Sequence, residues 1–482
     1  MIFNSIDFAA FLPIVFALYW ALSKKSLKLQ NALIVSASYF FYAWWDWRFL
    51  SLILISTTID YTIGILLIKQ KNKAKRKRLL WLSIIINIGL LSFFKYYNFF
   101  IENFSAAFSF FGTEIKGDFL YIILPIGISF YTFQTLSYTI DIYRNKLKPT
   151  NDFIAFSAFV SFFPQLVAGP IERATNLLPQ FYQKREFNYT KIIDGLRQIL
   201  WGLFKKIVIA DNCAKYANLI FDNSGDYSGS TLVLGAFFFT FQIYADFSGY
   251  SDIAIGTSRL FGFNLKQNFA FPYFSRDVAE FWRRWHISLT TWFRDYIYIP
   301  LGGSRVGTYK NIRNIFIIFI VSGFWHGANW TFIVWGGLNA IYFIPLLIFK
   351  KNRKHIDIVA KNKNCPSLKE FLLMVSTFSL TMFTWILFRA ENILHAKNYF
   401  SGIFTPSLFT IPDFEDLKRA SIILLLVVIF IGIEWKGRAQ LYALEKFGLN
   451  WRKPIRYGMY YVMILLIILF NIGEQEFIYF QF

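Results

Sequence analysis

Apolar runs of membrane-crossing length, separated by short basic loops, constrain this chain more than any other feature. A helix that crosses the hydrocarbon layer of a bilayer needs about 20 mostly apolar residues. Runs near 7–22, 30–46, 49–68, 79–94 and 119–142 are close to that length. Further runs lie near 152–169, 196–212, 231–249, 312–325, 330–349, 370–389, 419–435 and 455–473. In hydrocarbon no water satisfies an open backbone, so runs of this length predict helices. The expected fold class is an all-α polytopic membrane protein of roughly 11–13 membrane helices. No hydrophilic stretch is long enough for a soluble domain, so a single membrane domain over 1–482 is expected. The runs at 152–169 and 312–325 are short or flanked by Gly and Pro and are expected to be re-entrant or broken, which is tolerated only where protein or a water-filled cavity covers the backbone.

Charge placement agrees with this reading. Hydrophobic residues make up 56% of the chain and charged residues 16%, against roughly a quarter charged in soluble domains. The balance of 50 Lys+Arg against 29 Asp+Glu, net +21, would suggest nucleic acid in a soluble protein. Here the basic residues cluster at Lys24–Lys28, Lys69–Arg78, Arg144–Lys148 and Lys350–Lys363, in loops between apolar runs. That is the pattern of cytoplasmic loops and of contact with anionic lipid, so membrane lipids and no nucleic acid are the expected partners. An extracytoplasmic N-terminus places the first three of these loops on the cytoplasmic side, as expected for a multi-pass protein of the cell (inner) membrane. Met1–Asp7 has no basic residue before its apolar run and no cleavage site follows, which predicts a retained first helix. The cluster Tyr42, Trp44, Trp45 and Trp47 reads as interfacial anchors.

Chemistry-bearing residues are few. Cys213 and Cys365 are far apart and suit neither a disulfide framework nor a zinc site; no metal is expected. Of the four histidines, His355 and His395 lie in polar surroundings. His326, in Val321-Ser322-Gly323-Phe324-Trp325-His326-Gly327-Ala328-Asn329-Trp330, stands at a small-residue break between two apolar runs. An ionisable group at membrane depth is costly unless a polar cavity receives it, so it is a functional candidate, with a hydrogen bond to a neighbouring helix as the structural alternative. His286 follows Phe281-Trp282-Arg283-Arg284-Trp285. There Arg276, Arg283 and Arg284 suit the phosphates of a coenzyme A or phosphopantetheine carrier, or else lie at the interface with their heads in water. Asp246, Asp252, Glu172 and Arg173 would be expensive facing lipid; they form structural ion pairs or, with the histidines, line a polar tunnel. No phosphate-binding glycine loop, H-E-x-x-H or G-x-S-x-G motif occurs.

Several of these segments resemble the membrane-bound O-acyltransferase family, in its bacterial branch of alginate O-acetyltransferases and D-alanyl-lipoteichoic acid transferases. The resemblance runs along almost the whole chain, through Phe3-Asn4-Ser5, Phe40-Phe41-Tyr42-Ala43-Trp44, Leu124 to Gln134, Pro164 to Arg173, Phe281 to His286 and Ser322 to Gly327. It implies a bundle with a central funnel or tunnel, a catalytic histidine at His326 and a second functional histidine at His286. It further implies an acyl thioester donor entering from the cytoplasm (acetyl-CoA or an acyl carrier protein) as co-substrate with no bound cofactor, an acceptor hydroxyl reached from outside, and an extracytoplasmic acyltransferase partner. In such a reaction His326 is the general base, and His286, Asn329 or backbone N–H groups near Gly323–Gly327 stabilise the oxyanion. Arg283, Arg284, Trp325, Asn329, Asp246, Glu172 and Arg173 are the candidate substrate-binding residues. The C-terminal Phe477–Phe482 resembles the alginate-type branch and reads as an interfacial anchor or as a neighbour of the acyl path. Two alternatives stay open: a transporter or flippase of polyprenyl-linked sugars, with broken helices and buried charges of its own, and a lipid or protein acceptor.

Overall fold

Each apolar run folds as helix, except that 119–127 precedes its helix. The computed structural model describes residues 1–110, 112, 119–167, 169–473, 475, 477 and 478, and among these there is no strand. Ala168 of the Pro164–Arg173 segment and Tyr479–Phe482 of the aromatic tail lie outside the described residues. The elements are α1 (Ile6–Ala21), α2 (Leu27–Asp46), α3 (Leu50–Lys69), α4 (Lys73–Phe110), α5 (Ile128–Tyr143), α6 (Phe153–Ser161), α7 (Phe163–Leu166), α8 (Ala174–Leu177) and α9 (Tyr189–Leu203). They continue with α10 (Asp211–Asp222), α11 (Gly229–Leu260), α12 (Val278–Arg284), α13 (Ile287–Phe293), α14 (Thr308–His326), α15 (Trp330–Ile348), α16 (Leu368–Arg389), α17 (Ile393–Ile403), α18 (Leu417–Gly437) and α19 (Lys453–Leu469). Among the described residues, five helical stretches are long and apolar enough to cross a membrane: Leu27–Lys69, Lys73–Phe110, Gly229–Leu260, Trp330–Ile348 and Leu368–Arg389. Contacts divide the chain into two compact units, Met1–Gly195 with Thr257–Lys266, and Leu196–Gly256 with Gln267–Phe482.

In the first unit, α3, α4 and α5 are joined by polar side chains. Asp60 accepts from Ser83 Oγ at 2.5 Å and from Asn87 Nδ2 at 2.8 Å, and Asn87 Oδ1 accepts from Ser56 at 2.9 Å and Thr135 at 3.2 Å. All five side chains are buried. Between apolar helices in lipid there is little hydrophobic driving force, and such hydrogen bonds hold the register. The run 152–169 is broken as expected, α6 ending at Phe162 (ψ 103°) before α7 begins. Trp44, Trp45 and Trp47 point outward, but Tyr42 does not join them. It is buried and its hydroxyl donates to the Ile126 carbonyl at 2.9 Å, since its place on α2 faces the protein and a buried phenol requires an acceptor.

In the second unit, α14 and α15 form a tight hairpin. The expectation of a break within 312–325 is not met: α14 is continuous to His326, and the turn follows at Gly327–Asn329. The small residues serve close helix approach instead. A Cβ on Gly323 would lie 2.1 Å from the Phe332 carbonyl oxygen, and one on Gly336 would lie 2.3 Å from that of Phe319. Backbone cannot move aside as a side chain can, so only glycine permits this spacing. Asn329 starts α15 by accepting from the Thr331 N–H at 3.0 Å.

Gly323→Val is therefore expected to force the hairpin apart and cost about 1–3 kcal/mol, read as a lower thermal unfolding midpoint of the detergent-purified protein. Gly337→Val, where a Cβ meets nothing within 4 Å, is the control. Equal midpoints for the two variants would contradict the packing described.

Candidate active site

Both candidate histidines lie in the second unit, in ring contact with the same indole, that of Trp325. His326 is the last residue of α14, and its ring centroid lies 5.0 Å from Trp325, 5.3 Å from Trp335 and 5.2 Å from Phe388. His286 lies between α12 and α13, with its ring 6.2 Å from Trp325 and 4.6 Å from Phe247. Both imidazoles are buried, at 4% and 1% exposure. Trp325 thus bridges the two, which makes the pair a unit built by α11, α12, α13, α14, α15 and α16.

His286 adopts a left-handed conformation, φ 42° and ψ 54°, which costs a residue with a Cβ roughly 1–2 kcal/mol. The turn persists because Asn268 grips it at three points. The Asn268 carbonyl accepts from the Ile287 N–H at 2.8 Å, and Asn268 Oδ1 accepts from the Ser288 N–H at 3.2 Å and from Ser288 Oγ at 2.8 Å. The same Oδ1 lies 3.2 Å from His286 Nδ1.

The arginines are engaged with the 352–357 loop and with Glu280. Arg283 donates to the carbonyls of Asn352 at 2.8 Å and His355 at 2.7 Å, and Arg284 donates to Glu280 at 2.8 Å and to the Asp357 carbonyl at 3.1 Å. Arg276, itself buried, pairs with Glu280 at 3.1 Å and Asp357 at 2.9 Å. Asn329 Nδ2 donates to the Glu391 carbonyl at 2.6 Å while its oxygen caps α15. Glu172 and Arg173 belong to the first unit. There Glu172 is buried and accepts from the Lys266 N–H and from Asn176, both at 2.6 Å, while Arg173 is half-buried ahead of α8.

Sequence reading passed over two buried lysines. Lys205 and Lys206 sit within the apolar run 196–212, in a wider helical turn spanning Phe204–Ala210. Lys206 bridges Asp246 and Asp211, each at 2.8 Å, and Asp246 also accepts from the Ile478 N–H at 2.7 Å. Lys205 pairs with Asp252 at 2.6 Å and donates to Ser248 at 2.9 Å, while Asp252 accepts from Gln198 at 2.7 Å. A small cavity of about 10 Å³ lies beside Lys205, lined among others by Asp252, Ser251, Asn268, Tyr244 and Glu434; Tyr244 donates to Glu434 at 2.6 Å. Two adjacent lysines inside an apolar run were the available signal, because a charge at membrane depth demands a partner.

Similarity to known proteins supplies the class to which this bundle of apolar helices belongs. The family model for the membrane-bound O-acyltransferase family matches residues 39–388. The protein named probable alginate O-acetylase AlgI of Azotobacter vinelandii is 38% identical, over 92% of this chain and 86% of its own length. Its namesake in Pseudomonas aeruginosa is 37% identical, over 92% and 82%. The peptidoglycan O-acetyltransferase of Helicobacter pylori is 37% identical, over 84% and 80%. The chain belongs to the membrane-bound O-acyltransferase family. It is a membrane-associated O-acyltransferase, and its reaction requires an acyl donor as co-substrate.

Lys206→Met leaves Asp211 and Asp246 without their shared cation, and breaking a buried ion pair costs about 3–5 kcal/mol. A large drop in the unfolding midpoint of the purified protein is expected, partly recovered when Asp211→Asn and Asp246→Asn are added. An unchanged midpoint in the single variant would contradict the buried pairing.

Proposed function

We propose that this protein moves an acetyl group from a cytoplasmic thioester, acetyl-CoA or an acetylated carrier protein, to a hydroxyl of an extracytoplasmic polysaccharide. Delivery is direct or through an extracytoplasmic partner acyltransferase. The relatives named for acetylating alginate and peptidoglycan support a carbohydrate acceptor. The observation that carries the reading is the placement of His326 at the end of α14, packed with His286 against the same Trp325. The basic loops support an inner-membrane orientation with the N-terminus outside.

In the proposed reaction the neutral His326 imidazole takes the proton of the acceptor hydroxyl as its oxygen attacks the thioester carbonyl. The oxyanion collapses, the C–S bond breaks, and the thiolate leaves with the proton returned from the imidazolium. The products are an O-acetyl ester and a free thiol, so atoms and charges balance without a bound cofactor. A base of this kind contributes about 10²–10⁴-fold, and His286 is the second proton-handling group beside it. The tight clustering of bulky rings about both imidazoles keeps bulk water from competing for the thioester.

His326→Ala and His326→Gln are expected to lower base-labile acetate on the surface polysaccharide by about 10²–10⁴-fold, with the protein present in the membrane at wild-type level. Acetylation persisting near wild type in both variants would overturn the reading.

A further inference from the structure

We infer that Asn268 is a positioning residue that fixes His286 as its Nδ1–H tautomer, so that Nε2 of His286 carries the lone pair of the ring. This rests on the assignment of His286 as a working group of the site. The argument begins with the amide of Asn268. One of its terminal atoms lies 3.2 Å from the Ser288 backbone N–H, which donates and cannot accept, so that atom is the oxygen. The other terminal atom, the nitrogen, donates to Ser251 Oγ at 3.1 Å. With the amide orientation fixed by the Ser288 N–H, the oxygen is also the atom 3.2 Å from His286 Nδ1. A carbonyl oxygen brings no hydrogen to that contact, so Nδ1 must. Ser288 Oγ, 3.4 Å from Nδ1, gives its own hydrogen to Asn268 and offers the ring only a lone pair. Both neighbours therefore require hydrogen on Nδ1, and a neutral imidazole then carries its lone pair on Nε2.

The consequence for the chemistry is specific. A neutral His286 of this tautomer accepts a proton at Nε2 and cannot donate one there, so it handles protons as a base and does not serve as a neutral oxyanion donor. Asn268 also holds the left-handed turn that aims the ring, through its backbone carbonyl and its side chain together. Asn268 lines the cavity beside Lys205, so one residue joins that polar cavity to the histidine. The elements packed on the ring present Phe247 from α11, Phe269 and Trp325 from α14. The charged groups on those stretches are committed elsewhere: Asp246 to Lys206, Asp252 to Lys205, and Arg284 to Glu280.

The test uses the full-length protein in proteoliposomes, with acetyl-CoA and an oligosaccharide acceptor, and follows initial rate against pH. Asn268→Asp keeps the acceptor that faces Ser288 and His286 Nδ1, loses the N–H given to Ser251 so that the Ser251 hydroxyl must donate instead, and adds a negative charge next to Nδ1. The carboxylate favours the imidazolium, which raises the pH at which His286 loses its proton. Because His286 must be neutral to accept a proton, its contribution to the acid limb, alongside that of His326, should move upward by about one unit or more. Asn268→Ala should lower kcat by at least tenfold with little change in KM for the thioester. His286→Ala separates the two claims. If it transfers acetyl groups at the wild-type rate, the assignment of His286 to the site is wrong and this inference goes with it. If His286→Ala is inactive while Asn268→Asp shows the wild-type profile, only the tautomer assignment is overturned. Should Asn268→Ala fail to fold, the Asn268→Asp profile decides alone.

Discussion

The close contact of α14 with α15 is the constraint on which the rest of the site depends. Gly323 and Gly336 let the two backbones meet where any larger residue would collide with a carbonyl oxygen. That contact sets His326, at the end of α14, against Trp335 on α15, and it fixes Trp325 where it spans to His286. In the proposed reaction, an imidazole on a freely moving helix end would need to be oriented at each turnover. Here the orientation is set when the hairpin packs, which is the general advantage of a rigidly supported site.

Polar groups follow the same logic of enforced pairing. A charge in an apolar surrounding is tolerated only with a partner, and the second unit meets this with Lys206 between Asp211 and Asp246 and with Lys205 on Asp252. The first unit uses neutral and acidic side chains, Asp60 with Ser83 and Asn87, to the same end. The arginines that sequence reading offered to a phosphate carrier bind Glu280 and the carbonyls of the 352–357 loop. Their positive charge thus anchors the loop that follows α15 to α12.

Much of the architecture was legible in the sequence because lipid enforces simple rules. Runs of about 20 apolar residues became helices, and the break at Phe162 fell within the segment where it was expected. The run at 312–325 misled because glycine and serine read equally as helix breakers and as helix-packing residues, and only the neighbouring helix decides between them. His286 and His326 stood out as rare ionisable residues in apolar surroundings. Lys205 and Lys206 were hidden by the hydrophobicity of their flanks, and Asn268 by distance: it lies 18 residues from the histidine it contacts. A side-chain hydrogen bond of that kind depends on the path of the backbone between the two residues, which no local pattern records.

The central claim, that an imidazole on α14 is the base for acyl transfer from thioester to hydroxyl across the membrane, is tested most directly in sealed vesicles. Acetyl-CoA labelled in the acetyl group is enclosed with the cytoplasmic face, and the oligosaccharide acceptor is placed outside. The account predicts labelled ester outside, an equal amount of free thiol inside, and neither when His326 is replaced. Labelled thioester recovered intact outside, or ester formed equally well without His326, would contradict it.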